Sequence, residues 1–271
     1  MDDLAAEMRP DPSSPILLFD SGLGGLTVLT ELRKLLPHAP IIYAADLAGL
    51  PYGEKTEAQV AARVAGLLGR LAERYRPRLA CIACNTASTI ALGMVREVLH
   101  IPIVGTVPAI KPAALMTVSG TIGLLGTAAT IRQAYVDDLE AQFASGKRLI
   151  RHAAPDLVSA AELKLRGGRP DPAVFEAIAA GLRAHDGADA MDTLVLACTH
   201  FPLVETELRA VLGPKMRFVH GAAGIARRIA HLTKGQAFLR ADPDLAIVTG
   251  AIDDALPGAL DHFGIGAVAR L

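Results

Sequence analysis

The sequence predicts an α/β protein built from two similar, doubly wound domains with mainly parallel sheets, which face each other across an active-site cleft. Short apolar runs alternate with helical patterns along the chain, and such an order is typical of parallel sheets. The runs are continuously aliphatic and β-branched, which indicates strands that are buried on both faces. A strand that leads into a turn and a helix occurs twice, at 16–25 and again at 121–130.

Each element follows from the local pattern. The helical spacing at 26–36 ends at Pro37, because proline cannot continue a helix. After a loop at 51–53, the apolar side chains of 60–75 fall on one helical face. The apolar runs that predict strands lie at 16–19, 41–44, 79–83, 101–104, 121–125, 193–197 and 245–249.

The repeat suggests how the chain is divided. The polar, proline-bearing segment 1–15 is predicted to be a disordered tail. Residues 16–107 together with 219–271 are predicted to form the first domain, and residues 108–218 the second. The chain would therefore cross once into the second domain and later return to complete the first.

Composition excludes several classes of function. The 271 residues suffice for one or two domains, and the net charge of −1 comes from scattered charges of both signs. We therefore expect no binding to nucleic acid or to an anionic membrane surface. No apolar stretch reaches the length of about 18 residues that spans a membrane. Three cysteines without an export signal favour the cytoplasm and free thiols.

Two cysteines carry the strongest functional signal. Cys84 and Cys198 each follow an apolar run and precede side chains that form hydrogen bonds. Ligands of open α/β sheets bind at the carboxyl ends of the strands, and a helix N-terminus there favours a thiolate. Buried cysteine is the usual alternative for an isolated thiol, but the matched pair favours chemistry from two sides of one molecule.

Cys81 and Cys84 together form a C-x-x-C pattern, which also occurs in thiol oxidoreductases. A redox pair of this kind normally opens a helix, whereas Cys81 lies inside a predicted strand. We therefore interpret Cys81 as a core residue. His200, two residues after Cys198, is a plausible acid/base partner for that thiol. The other histidines lack metal-ligand spacing, so we expect no metal site.

Asp20 and Ser21 end the first strand, and a glycine-rich segment follows them. The segment lacks the third glycine of a dinucleotide fingerprint and the Lys-Ser/Thr of a phosphate loop. Asp20 is therefore either a cap of the turn and helix or a carboxylate that handles protons beside a thiol, and the sequence leaves both readings open.

Five segments in this order resemble the glutamate racemases of the cofactor-independent aspartate/glutamate racemase superfamily. The resemblance extends from Ile16 to about Ile229. The segments that carry it are 19–29, 51–53, 83–87, 126–130 and 198–203.

This resemblance implies racemisation of glutamate without a cofactor. Cys84 would deprotonate D-glutamate and Cys198 would deprotonate L-glutamate, while the opposite thiol delivers a proton to the other face. Asp20 and His200 would each assist the thiol on their own side. Such chemistry requires aimed hydrogen-bond donors, because no cofactor takes up the charge of the carbanion.

The resemblance also implies a set of residues that bind substrate. Ser21, Asn85, Thr86 and Thr199 would hold the α-carboxylate and ammonium groups. Glu162 would lie near the ammonium end. The residues that would complete the pocket are Pro51, Tyr52, Gly53, Thr127 and Thr130. Two positions depart from the family pattern: Phe201 stands where tyrosine is usual, and His220 stands where aspartate is expected.

We expect a cytoplasmic enzyme that supplies D-glutamate for peptidoglycan, and the family makes a homodimer a further expectation. Three alternatives stay open at this stage. The substrate could be aspartate or another acidic amino acid. The protein could be a thiol oxidoreductase that uses Cys81 and Cys84, or a ligand-binding module whose cysteines are incidental.

Overall fold

The computed structural model describes residues 10–271, which form two parallel sheets with helices packed on both faces of each. This architecture confirms the predicted α/β class. The strands of the described residues are β1 (Ile16–Asp20), β2 (Ile41–Ala45), β3 (Leu79–Ile82), β4 (Ile103–Gly105), β5 (Thr121–Gly126), β6 (Arg148–Ala153), β7 (Met191–Leu196), β8 (Arg217–Val219), β9 (Leu245–Val248) and β10 (Ala267–Arg270).

The helices connect the strands and cover the sheets. Short 3₁₀ turns at Leu47–Gly49, Tyr52–Glu54, Ala188–Ala190 and Phe201–Val204 supplement them. The α-helices are α1 (Leu26–Leu35), α2 (Glu57–Tyr75), α3 (Asn85–Val98), α4 (Ile110–Met116), α5 (Ala128–Ile131), α6 (Ala134–Phe143), α7 (Asp156–Leu165), α8 (Pro172–Arg183), α9 (Glu205–Leu212), α10 (Ala222–Leu232) and α11 (Leu256–Asp261).

Strand order assigns the chain to two sheets. The first sheet has the order β10-β9-β2-β1-β3-β4, and the second has the order β6-β5-β7-β8. All pairs are parallel. β8 includes Val219, which pairs with Val195, so Val219 belongs to the second sheet and not to the first domain as predicted. The remaining domain limits stay predictions.

Three strands were not predicted, and the predicted strand at 101–104 begins only at Ile103. All three missed strands, β6, β8 and β10, lie at sheet edges. Edge strands have fewer buried faces, so their sequences are shorter or more polar than those of central strands. Arg148 and Arg151 of β6 show this, because they interrupt the apolar run on which the prediction depended.

Side-chain alternation separates the core of the first sheet into two layers. Leu18 and Cys81 pack with α1, α10 and α11 on one face. Leu17 and Cys84 pack with α2 and α3 on the other face. The same alternation places Cys198 against α7, α8 and α9 on one face of the second sheet. Cys81 and Cys84 therefore lie in different layers.

The beginning of the described chain corrects the predicted tail. The Arg78 guanidinium donates hydrogen bonds to the carbonyl oxygens of Asp11, Pro12 and Ser14 at 2.7, 2.9 and 2.9 Å. Residues 11–15 are thus held against the first sheet, whereas the rest of the predicted tail, 1–9, lies outside the described residues. No helix within 10–271 has the length and apolar character needed to cross a membrane.

Candidate active site

The carboxyl ends of β1, β3, β5 and β7 converge where the two sheets approach each other. Asp20 ends β1, Cys84 follows β3, Thr127 follows β5 and Cys198 lies two residues past β7. The backbone N–H of Leu23, from the first sheet's side, donates to Glu162 Oε1 on the second sheet's side at 2.6 Å. Site residues that were predicted from separate parts of the sequence therefore lie close together where the two sheets meet.

Cys84 is the N-cap residue of α3 and is 6% exposed. Its Sγ lies 3.6 Å from the Ser21 hydroxyl oxygen. Burial raises the pKa of the Cys84 thiol, and the negative charges of Asp20 and Cys198 raise it further. Hydrogen bonds from the Ala87 backbone and from Ser21 act in the opposite direction but do not prevail. The predicted thiolate-favouring effect of the helix N-terminus is therefore outweighed by burial, so Cys84 carries a thiol.

Cys198 has a different environment. It is 8% exposed, and its Sγ lies 3.8 Å from His200 Nδ1. His200 Nε2 lies 2.7 Å from Glu162 Oε1 and 3.1 Å from the Gly24 backbone nitrogen. Burial alone would lower the pKa of His200, but the hydrogen bonds to Cys198 and Glu162 raise it well above the ordinary value. The imidazole is therefore protonated, and Nε2 donates to the carboxylate.

Glu162 anchors this histidine. Its Oε1 accepts from Leu23 and His200, and its Oε2 pairs with the Arg166 guanidinium. Burial raises the pKa of Glu162. The hydrogen bond and positive charge of His200 outweigh this effect, and with a hydrogen bond from Arg166 they hold the pKa at about 2. Both carboxylate oxygens have protein partners, so Glu162 lies behind His200. That Glu162 lies near the ammonium end of the substrate, as the resemblance implies, stays a prediction.

Asp20 lies fully buried at the end of β1. Its Oδ1 accepts from the Ser21 backbone N–H and its Oδ2 from the Gly25 N–H, both at 2.7 Å. Burial raises the pKa of Asp20, whereas the charge of His200 lowers it. Asp20 thus caps the glycine-rich turn and also lies close enough to affect Cys84, so both readings of this residue fit one geometry.

Three hydroxyl groups join the two sides of the site. Thr86 Oγ1 lies 3.0 Å from Thr127 Oγ1 and 3.1 Å from Thr130 Oγ1, and these last two are 3.0 Å apart. Gly53 packs tightly beside them, since a Cβ built there would lie 2.9 Å from Thr127 Cβ. The predicted pocket residues of both sheets are therefore in mutual contact.

Tyr52 is buried in the layer that contains Cys84. Its hydroxyl donates to Asp46 Oδ2 at 2.6 Å, and Arg63 holds the same carboxylate from its Nε at 2.6 Å. The Tyr52 hydroxyl is thus committed to Asp46, and the ring packs in the core layer behind Cys84. Asp46 was not predicted as a site residue, although its position directly after β2, next to Asp20 at the end of β1, could have identified it.

Asn85 and Thr199 border Cys198. Together with Thr27 and His220, they line a cavity of about 10 Å³ beside that thiol. Within residues 10–271, the Asn85 side chain forms no hydrogen bond with protein, so its amide is available to a ligand. Phe201 is fully buried in the layer of α7 to α9.

Neither a metal site nor a redox pair accompanies these thiols among the described residues. Among the residues that the structure describes, no three His, Cys, Asp or Glu side chains are placed to hold a metal ion. Cys81, Cys84 and Cys198 are all free thiols. Because Cys81 is buried in the layer opposite Cys84, the geometry does not support a dithiol pair.

The family model for Asp/Glu/hydantoin racemases matches residues 27–229 of the chain. A glutamate racemase of Sphingopyxis alaskensis is 60% identical over 262 residues, which cover 96% of this chain and 98% of that protein. A glutamate racemase of Escherichia coli K12 is 40% identical over 267 residues, covering 96% of this chain and 92% of that one.

Solved structures show the same similarity. A crystal structure of Escherichia coli glutamate racemase in complex with L-glutamate and the activator UDP-MurNAc-ala has a TM-score of 0.88 and 39% identity, and the match covers 95% of this chain and 98% of that chain. A glutamate racemase from Thermus thermophilus in complex with beta-chloro-D-alanine has a TM-score of 0.74 and 31% identity, covering 97% and 98%.

Proposed function

The chain belongs to the Asp/Glu/hydantoin racemase family and is therefore a racemase, and from this membership we propose that it interconverts L- and D-glutamate with Cys84 and Cys198 as the two bases. Relatives of nearly the same length carry the glutamate racemase name. The observation that carries the proposal is that two buried thiols follow central strands of different sheets and border one place, since Asn85, next to Cys84, lines the same cavity as Cys198.

The environments of the two thiols suit opposite tasks. Burial and the Asp20 charge keep Cys84 in its thiol form, which is a proton donor. Cys198 Sγ lies 3.8 Å from Nδ1 of His200, so an acid/base partner stands directly beside it. The enzyme with Cys84 as the acid and Cys198 as the base is the form that accepts L-glutamate. Cys198 takes the α-proton from one face, and Cys84 gives its proton to the other face of the same carbon.

The protons and electrons of this reaction balance with the substrate and these two thiols alone. The electron pair of the broken C–H bond stays on the α-carbon and then forms the new bond to the Cys84 proton. Cys198 ends as a thiol and Cys84 as a thiolate. The reverse reaction, from D-glutamate, starts from that second form with the roles exchanged.

The carbanion needs stabilisation that no cofactor supplies in this proposal. The free Asn85 amide and the hydroxyls of Thr86 and Thr199 are neutral donors, so they can stabilise a growing carboxylate charge without repelling it. The N-terminus of α3 adds backbone donors at the same position. Buried walls such as Tyr52 exclude water, which strengthens these interactions.

The cellular role follows from the product. We propose that the D-glutamate enters peptidoglycan and that the reaction takes place in the cytoplasm, where the three free thiols stay reduced. Substrate preference belongs to the same proposal, because glutamate and aspartate share the groups at the α-carbon and differ only in the reach of the side chain.

One assay tests the reaction and its bases together. Purified protein, dialysed without any added cofactor, is incubated with L-glutamate or L-aspartate, and the enantiomers are separated by chiral chromatography. We expect D-glutamate to form much faster than D-aspartate. Cys84→Ala and Cys198→Ala should each lower racemisation by at least about 10³-fold, because a general base and a general acid are lost.

Cys81→Ala is the matched control, since this thiol lies in the opposite layer of the same sheet. It should retain racemisation. Loss of activity in this variant alone would favour the oxidoreductase reading. Full activity after removal of either Cys84 or Cys198 would overturn the two-thiol mechanism, and faster turnover of aspartate would overturn the assigned substrate.

A further inference from the structure

A racemase with two bases must reset itself after each turnover, and this inference rests on the proposed two-thiol mechanism. After L-glutamate becomes D-glutamate, Cys198 holds a proton and Cys84 lacks one. Another L-glutamate cannot react until Cys198 has released its proton to solvent. Cys198 is only 8% exposed, so this proton needs a path through the protein.

His220 borders the space beside Cys198. Its side chain lines the cavity of about 10 Å³ that Cys198, Asn85 and Thr199 also line. This volume is at the lower limit of what can hold one water molecule. His220 Nδ1 is enclosed and has no hydrogen-bond partner in the protein. Buried polar atoms nearly always have a partner, whether protein or water, so a water in this cavity would satisfy it.

His220 also lines a larger space. The residue as a whole is only partly buried, and it lines a second cavity of about 630 Å³ between α4, α6 and α10. An imidazole with one nitrogen enclosed and the remainder of the ring reaching solvent can pass a proton between its two nitrogens.

We propose that His220 is a proton-relay residue that connects the Cys198 thiol to solvent through one water in the small cavity. In the outward direction, the Cys198 S–H bond breaks, its proton passes to the water, and the water gives a proton to Nδ1. Nε2 releases its own proton to solvent, which leaves Cys198 as a thiolate. Rotation of the ring then turns the Nδ1–H toward solvent, where Nδ1 loses this proton and Nε2 gains one, and the ring turns back in its original tautomer. Inward transfer runs through the same steps in reverse.

Charged groups around His220 are compatible with this task. Burial lowers the pKa of His220, while Glu205 of α9 and Glu31 of α1 raise it and Lys34 of α1 lowers it. Arg227 and Arg228 of α10 line the larger cavity. The ring is therefore neutral between transfers and can accept a proton at Nδ1.

Steady-state kinetics separate a resetting step from a structural effect. The resetting step occurs after product release, so it contributes to kcat but not to kcat/KM. We expect His220→Ala to lower kcat for both enantiomers by about tenfold, with KM falling in parallel and kcat/KM unchanged. Added imidazole, which can enter the space left by the side chain, should restore kcat.

Two further variants keep the test decisive. His220→Gln fills the space without carrying a proton, so it should show the same loss of kcat without rescue by imidazole. His100→Ala removes an exposed histidine and should match the wild type. An unchanged kcat in both His220 variants, or a parallel fall of kcat and kcat/KM without rescue, would overturn the relay. Failure of the two-thiol mechanism itself would appear separately, as racemisation that survives Cys198→Ala.

Discussion

The two thiols differ through the residues around them more than through their positions on strands. Cys84 has Ser21 and a buried carboxylate nearby, whereas Cys198 has a histidine that Glu162 holds. Sequence reasoning found the cysteines and Asp20 because each follows an apolar run, and it found His200 because that residue lies two positions after Cys198. It could not find the Glu162–His200 contact or Arg166, because those depend on how α7 packs beside distant loops.

The buried Glu162–His200 pair makes stability depend on pH. The pKa of Glu162 falls from 4.5 to about 2 on folding, so its contribution is present above 4.5 and is lost as the pH falls toward 2. The pKa of His200 rises above 6.5, so its contribution is complete below 6.5 and is lost as the pH rises through the higher value. The pair therefore stabilises the fold most between pH 4.5 and pH 6.5.

We expect Glu162→Gln to lower the free energy of unfolding by about 3 kcal/mol inside that window, because it leaves a buried cation without its partner. The loss should be smaller at pH about 3 and at pH about 10. Urea unfolding at the three pH values measures this. Glu207→Gln, which disrupts the partly exposed pair with Lys164, should cost less than about 1 kcal/mol at every pH. A pH-independent effect of Glu162→Gln would contradict the assignment of charges.

At the scale of elements, the glycine-rich turn between β1 and α1 determines how closely His200 approaches. A Cβ at Gly24 would lie 2.6 Å from the His200 backbone nitrogen and 2.5 Å from its Nδ1. The glycine is therefore required by packing against another segment. No feature of the sequence identifies His200 as the residue that this turn accommodates.

Gly24→Ala should push the turn away from His200. We expect kcat/KM to fall by about 100-fold, since a displacement near 1 Å in a catalytic group can have that effect. Gly66→Ala is the matched control, because nothing lies within 4 Å of a Cβ at that position of α2. It should leave activity unchanged and stabilise the helix by up to about 1 kcal/mol. Equal activity of the two variants would show that the close approach does not matter.

The sequence predicted central strands well and edge strands poorly. β1, β2, β3, β5 and β7 carry unbroken apolar runs because helices cover both of their faces. β6, β8 and β10 lack such runs because they lie at sheet edges. The site depends on central strands, and for this reason its main residues could be located before the fold was complete.

At the scale of the whole molecule, side-chain contacts join the two sheets around the site. Thr27 Oγ1 donates to the Thr199 carbonyl at 3.3 Å, and the Gln133 amide donates to Glu57 at 2.7 Å. These contacts and the threonine cluster leave little room for an amino acid between the thiols. We therefore infer that the two halves separate to admit substrate and close again around it.

Hydrogen exchange tests this closure. The Leu23 amide, on the side of the first sheet, donates to Glu162 on the side of the second sheet. Hydrogen exchange at Leu23 should therefore require separation of the two halves. Saturating D-glutamate should slow exchange at Leu23 by about tenfold or more. The Leu18 amide in the middle of β1 serves as the control and should not respond. Identical protection of Leu23 with and without glutamate would show that the halves do not move on binding.

The origin of the α-hydrogen in the product tests the central claim most directly. The wild-type enzyme is incubated with protiated L-glutamate in deuterium oxide, and NMR follows the α-position of each enantiomer during the first few per cent of conversion. With sulfur atoms on opposite faces, the D-glutamate formed should carry deuterium while the remaining L-glutamate stays protiated. Protium transferred from L-glutamate into D-glutamate would mean that a single base serves both faces and would contradict the account.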